Sequence, residues 1–162
     1  DGRVPSLDPY DPWLSIGVTS GEHYPALGTL APEGRLKGRL TKDDIKLYQY
    51  SKMSGYHYGL EVYKPVGIHP TTGISADEDD WQKDVYAERN QDGSVGAYID
   101  CSRSGIRFCT MTFVLEPEAK VDLNVRFRIG QLKNWQEIKD KSKRLLLGFN
   151  ENCISPSDLI EF

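Results

Sequence analysis

The alternation of apolar and polar positions is clearest in the C-terminal third of the chain. Val121 to Arg128 alternates at a period of two, which is typical of a strand with one buried face. Tyr98 to Cys101 and Cys109 to Leu115 predict two preceding strands. After Gly130 the period becomes helical, and Gly148 is expected to end the helix. The apolar stripe of this helix consists of Leu132, Trp135, Ile138, Leu145, Leu146 and Phe149.

These elements predict an α+β fold: an antiparallel β-sheet built as a meander, with a C-terminal amphipathic helix packed on one face. A chain of 162 residues is long enough for one sizeable core, so we expect a single domain over residues 1–162. Within it, residues 1–12 are expected to form an extended arm and residues 150–162 a C-terminal tail.

The remainder of the chain predicts further strands and loops. Trp13 to Val18 predicts a first strand, with its aromatic residue in the core. Gly21 to Lys37 has the glycine and proline content of a loop. Thr41, followed by acidic residues, predicts the start of a helix. Whether residues 45–48 continue that helix or begin a strand stays open.

The middle of the chain resumes the strand pattern. Tyr56 to Tyr63 alternates and is interpreted as one strand, followed by a loop over Pro65 to Gly73. Asp84 to Asn90 predicts one more strand, and Val95 to Asp100 returns from it as the strand that leads into Cys101. The turn between them contains Gly93, where a positive φ is expected.

The cysteines indicate in which cellular compartment the protein acts. Cys101 and Cys109 lie at facing ends of two predicted antiparallel strands, a spacing that suits a disulfide. Two reduced, half-buried thiols are the alternative. Cys153 is left over in the tail, either buried, free or bonded elsewhere. A disulfide would favour a compartment outside the reducing cytosol.

The net charge and hydropathy of the chain exclude some classes of binding partner. The net charge of −4 and pI near 5.4 argue against a nucleic-acid binder and suit a basic partner better. No apolar run is long enough for a membrane span. Because the chain starts at Asp1 rather than Met, a removed leader, with or without a lipid anchor, is left open.

The strongest local charge feature is an acidic run that ends in a tryptophan. Asp77, Glu78, Asp79 and Asp80 precede Trp81. One interpretation is a solvated loop, because adjacent carboxylates repel each other. The other is a recognition loop in which Trp81 anchors a partner and the acids steer association with a positive cleft. The run lacks the spacing and glycine of a calcium loop.

A group of tyrosines is the second feature. On a single strand Tyr56 and Tyr58 would share one face, with His57 on the other. This face is either half buried in the sheet or exposed as an aromatic surface that binds protein or sugar.

Catalytic and metal-binding signals are weak. His23, His57 and His69 stand in separate segments without metal-ligand spacing, and no nucleophile elbow or phosphate-binding loop is present. We therefore expect no enzyme, no metal and no cofactor. An enzyme with dispersed carboxylates is the alternative.

The last third of the chain resembles a known family. The features are the cysteine-bounded turn, a strand ending at Arg126 to Arg128, the segment Gln131 to Ile138, and the closing Leu147 to Phe149. Together they resemble immunity proteins encoded beside lipase toxins of type VI secretion systems, in particular those of phospholipase-D-type effectors.

The resemblance implies a periplasmic protein that neutralises a cognate lipase or phospholipase toxin by direct binding and occlusion of its active site. Asp77 to Asp80 would then occupy an electropositive phosphate-accepting mouth, with Trp81 packed beside them. The other hypothesis is a secreted ligand-binding or envelope accessory module that uses the aromatic face.

Overall fold

The computed structural model describes residues 13–20, 31–41, 48–116 and 119–151, of which the last three are described by their backbone alone. Within these ranges one antiparallel sheet contains seven strands, in the order β1-β7-β6-β5-β4-β3-β2. The strands are β1 Leu14–Thr19, β2 Gln49–His57, β3 Leu60–Val66, β4 Lys83–Arg89, β5 Val95–Ser102, β6 Phe108–Leu115 and β7 Val121–Arg128. The helices are α1 Pro32–Leu40 and α2 Trp135–Glu151, and a 3₁₀ segment, Ile129–Asn134, precedes α2.

The predicted meander is confirmed. Each strand from β2 to β6 pairs with the next strand in the chain, and β1 adds to the free edge of β7. One face of β5, β6 and β7 supplies a core of aliphatic and aromatic side chains such as Ile99, Phe113 and Val125. Trp135 and Ile138, at the start of α2, belong to the same core. The α+β prediction, with a C-terminal helix packed on one face of the sheet, is therefore confirmed.

The buried line of α2 differs from the predicted stripe. It passes through Ser142, which is buried, whereas Leu145 is 53% exposed. The Ser142 hydroxyl donates to the Ile138 carbonyl at 2.8 Å, so this buried polar group has a hydrogen-bond partner. The helix also continues through Gly148 to Glu151, so the predicted end at Gly148 is wrong.

The second helix was not predicted. α1 lies on the other face of the sheet, where Leu36 packs with Tyr50, Val85 and Tyr98. The interpretation of Gly21 to Lys37 as loop is therefore wrong from Pro32 onward. Proline is tolerated at the first helical position, where no intrahelical N–H bond is lost. Thr41 is the C-cap of α1, and the helix predicted to start there falls on residues 42–47, outside the described residues.

The segment Tyr56 to Tyr63 is a hairpin and not one strand. β2 ends at His57, β3 begins at Leu60, and these two residues pair. Tyr58 and Gly59 between them have φ values of 53° and 78°. Positive φ at both central positions is the geometry of a tight two-residue hairpin turn, which reverses the chain without breaking the apparent alternation.

Other strand predictions are confirmed. β1, β4 and β5 match the predicted segments within one or two residues, and Gly93 has the expected positive φ of 86°. Trp13 is exposed by about a third, with its ring centroid 5.9 Å from that of Phe108. The predicted arm, most of the tail with Cys153, the segment 42–47 and His23 lie outside the described residues.

The predicted disulfide is present. Cys101 and Cys109 are opposite each other in the β5–β6 register, and their sulfur atoms are bonded. Both residues are buried in the α2-side core, so the alternative of two reduced thiols does not apply to this structure. The bond closes the turn formed by residues 103–107.

A buried carboxylate ties β2, β3 and β4 together. Glu61 is 5% exposed. Its oxygens accept hydrogen bonds from Lys52 at 2.5 Å, from the Tyr63 hydroxyl at 2.7 Å and from Arg89 at 2.9 Å. Burial alone would raise the pKa of Glu61, but these three donors outweigh it and lower the pKa to about 2.

We predict that Glu61→Gln destabilises the protein in a pH-dependent way. The pKa is lowered in the folded state, so the stabilisation is present above the unfolded value near 4.5 and is lost as the pH falls toward about 2. At pH 7 the variant should lose about 2 kcal/mol of unfolding free energy. Urea denaturation at several pH values measures this, with Glu116→Gln, an exposed acid, as the control. An equal loss at pH 7 and pH 2.5 would contradict the assignment.

Candidate binding surface

The acidic run lies in the long connection between β3 and β4, residues 67–82. Backbone hydrogen bonds fold this connection on itself: the Ala76 amide donates to the Gly67 carbonyl at 2.9 Å, and the His69 amide donates to the Ile74 carbonyl at 2.8 Å. The ring nitrogen Nδ1 of His69 accepts the amide of Thr71 at 3.1 Å. We call residues 67–82 the acidic loop.

The four acids of the loop have different roles. Asp79 is half buried, and its carboxylate accepts the Trp81 amide at 3.0 Å and the Gln82 side chain at 3.2 Å. Desolvation raises the pKa of Asp79, but these bonds and the neighbouring Tyr48 hydroxyl lower it below its usual value. Asp77, Glu78 and Asp80 are exposed, and no described residue forms a hydrogen bond with their carboxylates. Asp79 therefore organises the loop, while the other three present charge to solvent.

The disulfide-closed turn holds the acidic loop in place. The Arg103 guanidinium donates to the Asp84 carboxylate at 2.7 and 2.9 Å, and to the Ala76 carbonyl at 2.6 Å. The Ser104 hydroxyl donates to the Asp80 carbonyl at 3.0 Å. Arg103 stands two residues after Cys101 and its side chain is only 12% exposed. Arg103 was not singled out from the sequence, because its partners are distant in the chain.

Exposed apolar side chains accompany the charges. Trp81 is 91% exposed and Ile68 is 69% exposed, both in the acidic loop. Ile74, in the same loop, and Ile106, in the disulfide-closed turn, are also exposed. Apolar anchors among polar groups are the composition of protein-binding surfaces. The three isoleucines were not singled out from the sequence, although isoleucine in a polar loop was a signal that was available.

The two tyrosines predicted as partner-binding residues do not share a strand face. Tyr56 is in β2 and is 70% exposed, whereas Tyr58 is in the hairpin turn and is 50% exposed. The Tyr58 carbonyl accepts the Trp135 indole N–H at 2.9 Å, which ties the turn to the start of α2. The His57 ring lies 4.0 Å from the Tyr58 ring, centroid to centroid.

Next to this turn is a cleft of about 520 Å³. Its walls are His57 and Tyr58 on one side and the 3₁₀ segment on the other, and Arg107 and Tyr86 also line it. Arg107 belongs to the same turn as Arg103 and Ser104, so one turn borders both the acidic loop and the cleft. We define the candidate binding surface as the acidic loop, the disulfide-closed turn and the β2–β3 turn.

The arrangement is suited to binding a macromolecule. It combines exposed apolar side chains with a patch of exposed carboxylates, on a loop whose backbone is hydrogen-bonded to the neighbouring turn. In the described part of the chain, no cluster of three or more histidine, cysteine or carboxylate side chains has the geometry to hold a metal ion. Among the same residues, neither helix has the length and apolar character that crossing a membrane requires.

Comparison with known proteins gives one structural likeness. No protein-family model matches the sequence, and no curated protein sequence matches it. The fold is similar to that of an immunity protein. That protein is Smlt3025, described as an immunity protein of the Stenotrophomonas maltophilia type IV secretion system. The similarity covers 82% of this chain and 68% of that one, with a TM-score of 0.53 and 15% sequence identity.

We predict that Arg103→Ala releases the acidic loop. The substitution leaves the partly buried Asp84 carboxylate without its cation and the Ala76 carbonyl without its donor, so we expect a loss of about 2 kcal/mol of unfolding free energy. Hydrogen exchange of the Ala76 and Gln82 amides should accelerate more than that of amides in β6. Arg144→Ala, an exposed position on α2, is the control. Unchanged exchange in the loop would show that Arg103 does not hold it.

Proposed function

We propose that this protein is an immunity protein that neutralises a cognate secreted antibacterial toxin by direct binding through the surface defined above. The observation that carries the proposal is the acidic loop with its exposed Trp81, held rigid from the disulfide-closed turn. The likeness in fold to an immunity protein and the independent resemblance of the last third of the chain both support it.

The physical argument rests on preorganisation. A loop that is already ordered loses little conformational entropy on binding, so more of the contact energy appears as affinity. Trp81 is a hot-spot residue type with nearly all of its surface available. Asp77, Glu78 and Asp80 supply a negative patch that accelerates encounter with a positive partner.

The finer proposal concerns the toxin. We infer a lipase of the phospholipase D type, delivered by a type VI secretion system, whose active site the acidic loop occludes. A phospholipase site accepts a phosphate and is expected to be electropositive, which complements the loop. The similar fold from Stenotrophomonas maltophilia belongs to an immunity protein described with a type IV system. Sequencing the genes that flank this one, and identifying any toxin and secretion system they encode, would distinguish delivery by type IV from delivery by type VI. The disulfide favours action in the periplasm.

The proposal predicts distinct kinetic effects for the charges and for Trp81. The triple variant Asp77→Asn, Glu78→Gln, Asp80→Asn should lower the association rate with the toxin about tenfold at low salt, and less at high salt. Trp81→Ala should raise the dissociation constant about tenfold or more, mainly through faster dissociation. Surface plasmon resonance and inhibition of lipase turnover measure both. Asp79 is left intact because it organises the loop.

Matched controls separate charge in the loop from net charge. Glu116→Gln, Glu137→Gln and Asp140→Asn together remove three exposed acids outside the binding surface, and Leu145→Ala removes an exposed apolar side chain of α2. These variants should bind as the wild type does. If the wild-type protein forms no complex with the neighbouring toxin, the immunity proposal fails. If it binds but both loop variants leave inhibition unchanged, the assignment of the surface fails.

A further inference from the structure

The cleft beside the β2–β3 turn is preformed. One wall is fixed by the hydrogen bond from the Trp135 indole to the Tyr58 carbonyl, at 2.9 Å. The other is fixed by the Ile129 amide, which donates to the Arg107 carbonyl at 3.0 Å. Tyr58 is the one described non-glycine residue with positive φ, at 53°. A bulky side chain in that conformation is strained, so the fold holds this ring at the cleft against a local preference.

The lining of the cleft is cationic and rich in hydrogen-bond donors. Arg107 brings a positive charge to it, and no carboxylate is among its described lining residues. Lys133 also lines the cleft but has an interaction of its own, so the charge of the cleft is assigned to Arg107. Burial, with a smaller effect from the Asp84 charge, raises the pKa of Tyr86 to about 12, so its phenol stays a neutral donor. The carboxylate of Asp84 itself forms an ion pair with Arg103. Ile129 and Leu132 add apolar surface.

We propose that this cleft receives an acidic side chain of the toxin, with neighbouring apolar groups of the toxin packed on Ile129 and Leu132. This inference rests on the proposed immunity function and deepens it. The binding surface then carries two patches of opposite sign on either side of the turn 103–107: the acidic loop and the cationic cleft. A partner must match both patches, whereas a uniformly charged protein matches only one. The arrangement therefore gives specificity as well as fast association.

The test is a charge reversal in the cleft. Arg107→Glu keeps the backbone carbonyl that holds the wall, and should raise the dissociation constant for the toxin at least tenfold, mainly through faster dissociation. Arg107→Lys should retain most of the affinity. Arg144→Glu makes the same charge change on the exposed face of α2 and should have little effect. Lysine substitutions at exposed acids of the toxin should then reveal one position that restores binding to Arg107→Glu.

These measurements separate a failure of the cleft inference from a failure of the proposed immunity function. If the wild-type protein does not bind the toxin, the immunity proposal itself fails. If the wild type binds and Arg107→Glu binds equally well, the cleft inference is overturned while the immunity proposal stands. Titration with 3-phenylpropionate, followed by the His57 ring resonances, probes the same chemistry in a small molecule. Competition with the toxin supports the inference, whereas binding without competition assigns the cleft to small ligands and overturns it.

Discussion

The geometry of the candidate binding surface depends on the contacts of the Arg103 guanidinium. This group bridges the Asp84 carboxylate on β4 and the Ala76 carbonyl in the acidic loop, and so joins three segments that are remote in the chain. Its position is set by the disulfide between Cys101 and Cys109, because the bond closes the turn from which Arg103 projects. The disulfide restrains the turn, and the hydrogen bonds of Arg103 connect the restrained turn to the acidic loop.

Elements with a regular period were predictable from the sequence, and elements that depend on the rest of the fold were not. β7 alternates because one of its faces lies in the core under α2, and this pattern is visible locally. β5 is buried on both faces, and its apolar residues still indicate a strand. α1 is rich in glycine and is stabilised by contacts such as that of Leu36 with the sheet, so its local composition indicates a loop. The hairpin at Tyr58 and Gly59 was missed because a two-residue turn preserves the alternation on both sides of it.

The same distinction applies to the site. The acidic run and Trp81 are contiguous, so the sequence alone was enough to single them out. Tyr56 and Tyr58 were also singled out, but on the assumption of one strand face, and the hairpin separates them. Arg103 and Arg107 gave no local signal. The contacts of Arg103 are with residues 19 and 27 positions away, and Arg107 meets the β2–β3 turn only in the folded chain.

The acidic loop is held through its backbone, and this leaves the negative charge of three of its carboxylates exposed to solvent. Adjacent carboxylates repel each other, and a cation that neutralised them would stabilise the loop but remove the negative patch. Here the turn donates hydrogen bonds to the backbone carbonyls of Ala76 and Asp80, and among the four acids only the carboxylate of Asp79 accepts hydrogen bonds from described residues of the loop. The other three carboxylates therefore stay exposed, without a hydrogen bond to any described residue. A basic surface can approach them without displacing a cation of this chain, whereas a negative surface is repelled by them.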